Sequence, residues 1–220
     1  MALHREVVVS TALRLLDAVG LTGLTMRRLA DELGVQNPAL YWHFRSKQDL
    51  LDRMAEEMVA ATLSTVASDD ATAPWSEWLA EVARRFRAAL LSHRDAARVI
   101  AGANLGRSAV PQVFDVGLRV LQGEGFSPAV SLSGMLTVFA YTFGAAFDAQ
   151  ADPFDPPAGV HPGGFVALRA VIDPARFPVL AATLEAVALA APGHDRATEF
   201  DEGLQLILAG LRAERLPADR

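Results

Sequence analysis

The sequence predicts an all-α protein, and three observations carry that expectation. Apolar residues recur at helical spacing along most of the 220 residues; long alternating Val/Ile/Thr-rich runs are missing; and Gly, Pro, Ser, Thr and Asn stand where such helices would stop and start. With 51% hydrophobic and 21% charged residues, the chain has material for a sizeable core. It has no cysteine, which excludes disulfide scaffolds and thiolate-bound zinc.

The first helix is expected from Glu6 to Val19, with Val8, Val9, Ala12, Leu15, Leu16 and Val19 on one side and Gly20 as its stop. A second starts behind a Thr25 cap and runs to Gly34, and a third begins with Asn37 as cap and Pro38 in its first turn, ending near Phe44. Ser46 caps a longer fourth helix through Leu50, Leu51, Met54, Met58 and Leu63, reaching Val66. Residues 68–74 turn small and polar. Beyond them, helices are expected at Trp75–Ser92, Ala96–Ala103, Val110–Glu124, Pro128–Ala149, Pro178–Ala191 and Asp195–Glu214, with a Pro/Gly-rich loop over Asp152–Gly164.

The net charge is -6, yet residues 1–50 hold six Arg/Lys against five acids, a local +1 that leaves -7 for the rest. The N-terminus is thus the part least repelled by a phosphate backbone. The chain opens on a charged amphipathic stretch rather than an apolar signal core, so a cytoplasmic location is expected. Gly125–Phe147 runs 23 residues without a charge. Its Ser, Thr, Gly and Pro content and the lack of flanking Lys/Arg clusters argue for a core helix rather than a membrane span, and no membrane partner is expected.

Within Thr25–Phe44, Ala30, Gly34 and Leu40 stand at i, i+4 and i+10. In a helix-turn-helix the small residue admits the second helix, the glycine makes the sharp turn, and the apolar residue pins the recognition helix to the core. Arg27, Arg28, Asn37, Tyr41, His43 and Lys47 then present donors on the outer surface, the chemistry a duplex needs. Gln36 is a further base-reading candidate. Trp42 is open between core anchor and groove contact, with the core favoured for it and more so for Phe44.

The stretch LTMRRLADELGVQNPALYWHFRSKQDLL, Leu24–Leu51, resembles the DNA-binding module of the TetR family. ALLSHRD at Ala89–Asp95, GFS at Gly125–Ser127 and GLQLILAGL at Gly203–Leu211 resemble the tetracycline-repressor branch, so the likeness spans nearly the whole chain. The resemblance implies an N-terminal three-helix DNA-binding domain, residues 1–47, followed by a helical effector-binding and dimerisation domain, residues 48–220. It implies that Arg27 and Asn37 read bases, that Pro38 and Ala39 touch thymine methyls, and that Tyr41, His43 and Lys47 contact phosphates of a double-stranded operator. Asn37 is shorter than the glutamine of that branch, and Ala39 and Met26 replace threonines, so a different operator is expected.

The resemblance also implies a homodimer, formed by the helices at Pro128–Ala149 and Asp195–Glu214. The stripe Phe200, Leu204, Ile207, Leu208, Leu211 supplies its seam, with Gly203 and Gly210 admitting close helices. A small-molecule effector is implied among the helices starting at Trp75, Ala96, Val110 and Pro128. Its candidate wall is Trp78, Val82, Phe86, Ile100, Asn104, Phe114, Met135 and Phe139; each of these reads more readily as plain core than as a ligand contact, with Phe86 and Asn104 the better candidates for contact. Ile100, Val82 and Asn104 replace the histidine, asparagine and arginine with which that branch grips magnesium-tetracycline, and apolar side chains do not ligate magnesium. A less polar effector without metal follows, with no cofactor; Asp148, at a carboxylate position of that branch, leaves a cationic effector open.

An enzyme is disfavoured. Gly125, Ser127 and Ala129 only approach the G-x-S-x-G elbow and lack its preceding strand. The five histidines show no metal-ligand spacing; Asp148, Asp152, Asp155 and His161 could gather around a cation, but a proline-rich acidic loop is more often simply solvated; and no Gly-rich phosphate loop exists. The remaining alternative is a helical small-molecule-binding protein without operator binding, which retention of Arg27, Tyr41, His43 and Lys47 disfavours.

Overall fold

A computed structural model describes residues 4–64, 73–150, 169, 172–190 and 195–215. Among the described residues there is no strand, and the elements are ten helices. They are α1 (Arg5–Gly23), α2 (Met26–Leu33), α3 (Asn37–Tyr41), α4 (Lys47–Leu63), α5 (Trp75–Leu91), α6 (Ala96–Ala101), α7 (Val110–Gly123), α8 (Pro128–Gln150), α9 (Pro178–Ala190) and α10 (Arg196–Ala213), with a 3₁₀ turn at Leu105–Arg107. The loop expected at Asp152–Gly164, with Asp152, Asp155 and His161, lies outside the described residues, as does most of the polar stretch before Pro74.

Local chemistry sets the boundaries. The Thr25 hydroxyl accepts from the Arg28 N–H at 3.1 Å and opens α2. Gly34 closes it in the left-handed region (φ 65), where the Val35 N–H reaches the Ala30 carbonyl at 3.0 Å. Ser46 accepts from the Asp49 N–H, and the Asp49 carboxylate accepts from the Arg45 N–H, a reciprocal cap on α4. Gly20 does not end α1 outright. It turns the chain at φ 69 and the helix resumes through Gly23. A Cβ there would stand 2.9 Å from an Asp95 carboxylate oxygen, so both backbone and space call for glycine. Asn37 is also not a cap: the capping position is Gln36, and Asn37 begins α3 with its carboxamide free of the helix end.

One hydrophobic core runs from Leu16, Leu29, Leu40 and Phe44 through Met54 and Val59 of α4 to Phe86, Ile100 and Phe139, and on to Phe200 and Leu204. It crosses the expected division at residue 47, because α4 packs on α1 at one end and on α5, α6 and α7 along its length. Each large side chain so buried contributes about 1.5 to 3 kcal/mol.

Helix α8, charge-free up to Asp148, packs on α5, α6, α7 and α10 with one face, carrying Gly134, Met135, Val138, Phe139 and Thr142. It is long and apolar enough to cross a membrane, but it is not buried all round: Leu132, Leu136 and Phe147 lie exposed on its other face. α8 and α10 fit reciprocally, Leu211 lying over Gly134 and Tyr141 over Gly203. The Tyr141 hydroxyl donates to the Phe200 carbonyl at 3.0 Å, and the two rings stack at 5.3 Å. Phe200, Leu204, Leu208 and Leu211 are therefore turned into the protomer's own core, with Ile207 half-buried. Within the protomer, the stripe expected as a dimer seam packs against α8 of the same chain. Gly203 admits Tyr141, while Gly210 meets nothing within 4 Å.

Asp195 caps α10 by accepting from the N–H groups of Thr198 and Ala197 at 2.9 and 3.1 Å. The Thr198 N–H, then its hydroxyl, hold the carboxyl below its ordinary value. A carboxyl depressed in the folded state stabilises above its unfolded value, about 3.9, and loses that contribution as pH falls through the folded value. Amide protection at Ala197 and Thr198 is accordingly expected at neutral pH and lost below about pH 4, while α2, capped by a neutral hydroxyl, keeps its protection. Hydrogen exchange measured across pH checks this; unchanged protection at α10 in acid would refute it.

Candidate functional site

Leu29, Ala30 and Leu40 are buried and hold α2 against α3, as the spacing of Ala30, Gly34 and Leu40 requires. The opposite surface is left to Arg27, Arg28, Gln36, Asn37, Pro38, Tyr41 and Trp42, all exposed; Ala39, His43 and Lys47 are half-buried. Asn37 lies at the centre. It lines one concavity of about 460 Å³ with Arg27, Asp31, Gly34, Val35 and Gln36, and a second of about 410 Å³ with Pro38, Tyr41 and Trp42. A guanidinium so placed offers two donors to the O6 and N7 of guanine, and a carboxamide offers a donor to N7 and an acceptor to the N6 amino group of adenine. Met26, in contrast, is buried and reads nothing.

Trp42 corrects the core reading. It is 88% exposed, whereas Phe44 is buried. Leu40 and Phe44 are four residues apart and share the inward side, so the residue midway between them is carried to the outward one. The Lys47 ammonium donates to the Leu21 carbonyl at 3.4 Å, which ties the start of α4 to the end of α1.

Contacts missed in the sequence tie α1 and α4 to the segments on either side of α6, and one holds the module itself together. Gln48 donates to Asp52 at 2.8 Å and to the Gly102 carbonyl at 3.0 Å, and Asp52 accepts from the Asn104 N–H at 3.1 Å, clamping α4 to the segment after α6. Asp17 of α1 holds His93 Nδ1 at 2.8 Å and accepts from the Arg94 N–H at 2.9 Å, while Asp95 accepts from the Leu21 N–H at 2.8 Å. Arg5 donates twice to the His43 carbonyl. Apart from Gln48 and Asp52, neighbours on α4, the partners are 38 to 77 residues apart, so no local periodicity signals them.

Of the effector wall, Trp78, Val82, Phe86, Ile100, Met135 and Phe139 are brought together in the core between α5, α6 and α8, with Phe114 of α7 half-buried beside them. Phe139 stands 4.6 Å from Phe86 and 4.8 Å from Phe114, and Phe143 lies 5.0 Å from Phe86. Gly117 makes room for Met135 and Trp78, which a Cβ would meet at 2.7 and 2.9 Å. Asn104 and Asp148 do not join them. Asn104 is exposed, and its side chain accepts from the Gly106 N–H to open the 3₁₀ turn. Asp148 is exposed and its carboxylate is taken by Arg196.

Comparison with known proteins agrees with this geometry. A model of bacterial regulatory proteins of the tetR family matches residues 8–54, and a tetracyclin repressor-like C-terminal domain matches residues 67–215. The chain is 41% identical over 216 residues to the tetracycline repressor protein class A from transposon 1721 of Escherichia coli, covering 97% of this chain and 93% of that protein. Its fold is similar to a possible TetR family transcriptional regulator from Streptomyces coelicolor A3(2), with TM-score 0.82 and 40% identity over 96% of this chain and 100% of that one. It is also similar to a variant of TetR from Acinetobacter baumannii AYE in complex with minocycline, with TM-score 0.74 and 31% identity over 98% and 100%. The chain belongs to the TetR family, as a helix-turn-helix DNA-binding transcriptional regulator with a ligand-binding C-terminal domain.

Proposed function

We propose that this chain acts as a homodimeric repressor that reads a palindromic operator and is released from it by an uncharged, largely apolar effector other than magnesium-tetracycline. The observation that carries the operator reading is the exposure of Arg27, Gln36, Asn37, Tyr41 and Trp42 on α2 and α3 above a buried Leu29–Ala30–Leu40 seam. Residues 1–47 serve as the DNA-reading unit and 48–220 as the effector and dimerisation unit, working in the cytoplasm where the operator is.

The chemistry of the core supports the effector reading. The buried polar side chains among the described residues are Thr11, Ser131 and Thr142. Thr11 accepts from Arg14, Ser131 donates to the Ser127 carbonyl and Thr142 to the Val138 carbonyl, all within their own helices. Nothing there offers the oxygen ligands magnesium requires. Magnesium-tetracycline is accordingly expected to leave operator binding unchanged.

Release follows from two states of the dimer. Operator half-sites lie about 34 to 36 Å apart, and an effector that wedges the core moves the two recognition helices off that spacing. α4 is the lever, since the Gln48–Asp52 clamp joins it to the segment that follows Ile100. A coupling of about 1 to 3 kcal/mol changes operator affinity about 5- to 150-fold. Identical half-site separation with and without effector would sink this mechanism.

Selection of fragmented genomic DNA on the purified protein, with two variants alongside, tests the reading. Arg27→Ala is expected to relax one operator position, at about 1 to 3 kcal/mol, whereas Lys47→Ala weakens all sequences evenly and lowers the salt slope by about one. If the two variants behave alike, the division into base and phosphate contacts is wrong. If the parent enriches no sequence, the operator reading falls and the binding-protein alternative takes its place.

A further inference from the structure

We propose that Arg5 is a positioning residue of the recognition helix: it holds the C-terminal end of α3 and so sets the angle at which Asn37, Tyr41 and Trp42 meet the groove, without touching DNA itself. The inference rests on the operator reading above and goes beyond it, since neither the helix-turn-helix spacing nor the groove-facing surface includes this residue.

α3 is five residues long, too short to hold its own direction. At its start it is joined to α2 through the Gly34 turn, and midway Leu40 pins it to the core. Its far end has no glycine cap. The N–H groups of His43 and Phe44 both go to the Leu40 carbonyl, and the chain continues in helical geometry at Trp42. The next carbonyl, that of His43, is satisfied by Arg5, whose Nε and Nη2 donate to it at 3.0 and 2.6 Å. The same guanidinium stands 5.5 Å from the centroid of the buried Phe44 ring. It is thus wedged between a ring that cannot move and a carbonyl at a helix end, where a cation is also favoured by the backbone dipoles.

The place of Arg5 separates this role from a phosphate contact. It lines a cleft of about 670 Å³ with Arg45, Asp49, Asp52 and Asn104, none of which lines the concavities around Asn37. Neither concavity around Asn37 includes it. Two donors on one acceptor, fixed by a planar fork on an aromatic face, are also what lysine cannot reproduce.

The test compares the full-length protein with Arg5→Ala, Arg5→Gln and Arg5→Lys in operator selection, in the salt dependence of operator and random-duplex binding, and in thermal unfolding. Arg5→Ala is expected to weaken operator binding about tenfold and to flatten the same half-site position that Asn37→Ala flattens. Random-duplex affinity and the salt slope stay at the parent values, because no phosphate contact is lost. Arg5→Lys, with one point charge in place of the fork, recovers part of the base preference; should Arg5→Ala fail to fold, it and Arg5→Gln carry the comparison. A salt slope lower by about one with base preference intact would make Arg5 a phosphate contact and overturn the proposal. So would unchanged operator selection in all three variants, or a loss that Arg5→Lys does not lessen. A parent protein that enriches no operator at all would remove the operator reading itself, and this inference with it.

Discussion

A Leu206→Asp protein is expected to be a folded monomer that no longer holds a palindromic operator. Leu206 is 76% exposed on α10, and Leu132, Leu136 and Phe147 are exposed on α8. The two helices are locked together on their inner sides by Leu211 over Gly134 and Tyr141 over Gly203. Their outer sides carry these exposed apolar side chains, and a Cβ at Gly144 or Gly210 would meet nothing within 4 Å. Large apolar side chains exposed on two adjoining helices suit an association surface, and a second copy fits it, since an isologous contact needs a surface complementary to itself. Lipid is the poorer partner, because Glu202 and Gln205 are exposed on the same helix. Burying one leucine contributes about 1.5 to 3 kcal/mol, and the two-fold axis counts it twice, so loss of both weakens the dimer by about 3 to 6 kcal/mol, roughly a hundred- to ten-thousand-fold. Leu208, two residues on, is 2% exposed, and an aspartate there would bury an unpaired charge and unfold the chain. Sedimentation, circular dichroism and operator titration of both variants decide the matter. A Leu206→Asp protein that remains a dimer, or a Leu208→Asp protein that is a soluble monomer, would return the seam to the inward stripe.

That contrast shows where the sequence was legible and where it was not. Caps and periodicities are local, so Thr25, Gly34, Ser46 and Asp195 mark their helix ends correctly, and most helices fall within a few residues of their expected bounds. The stripe on α10 was equally legible as a stripe, but periodicity reports only that a face is buried, not against what. Phe200, Leu204 and Leu208 meet their own protomer because Tyr141 and Gly134 on α8 are shaped to receive α10. Residue type leaves Trp42 open between core and groove, and its position between the inward Leu40 and Phe44 decides for the outside. Asn104 and Asp148 were placed by likeness, which transfers a position but not a side-chain direction; one now caps a turn and the other pairs with Arg196. Arg5 and Asp17 carried no signal at all, since their partners are the His43 carbonyl and the 93–94 turn.

These long-range contacts bear on how the effector core and the reading surface communicate. Gln150 at the end of α8 donates to the carbonyls of Leu90 and His93 and accepts from the Ala97 N–H, holding the turn that Asp17 grips from α1. The DNA-reading module is thus attached to the core through two separate hydrogen-bonded junctions, at α1 and at α4, and the apolar cluster between α5 and α8 lies behind both. A rigid body held at two points rotates when one of them shifts. In the release proposed above, a core change that displaces α6 would shift the Gly102–Asn104 clamp and α4 with it.

The integrity of that cluster is expected to depend most on Phe86. The ring is 1% exposed and touches both Phe139 and Phe143, so Phe86→Ala removes a whole aromatic side chain from packed surroundings. The expected loss is about 3 to 5 kcal/mol, about 6 to 20 °C in the unfolding midpoint for a chain of this size. What remains is a hole lined by Phe139, Phe143 and their apolar neighbours, and a hole without polar walls stays dry and takes up small apolar molecules. Benzene is accordingly expected to raise the midpoint of Phe86→Ala and to leave the parent's unchanged. Asp148→Asn is the control. Its carboxylate is exposed and meets, among the described residues, Arg196, so its midpoint is expected to move by less than the equivalent of about 1 kcal/mol, and its response to any effector to stay that of the parent. Scanning calorimetry with and without benzene measures all three proteins. A Phe86→Ala protein as stable as its parent, or one that ignores benzene, would mean that this ring is not the centre of an apolar site, and the reading of the effector as an uncharged apolar molecule would lose its physical basis.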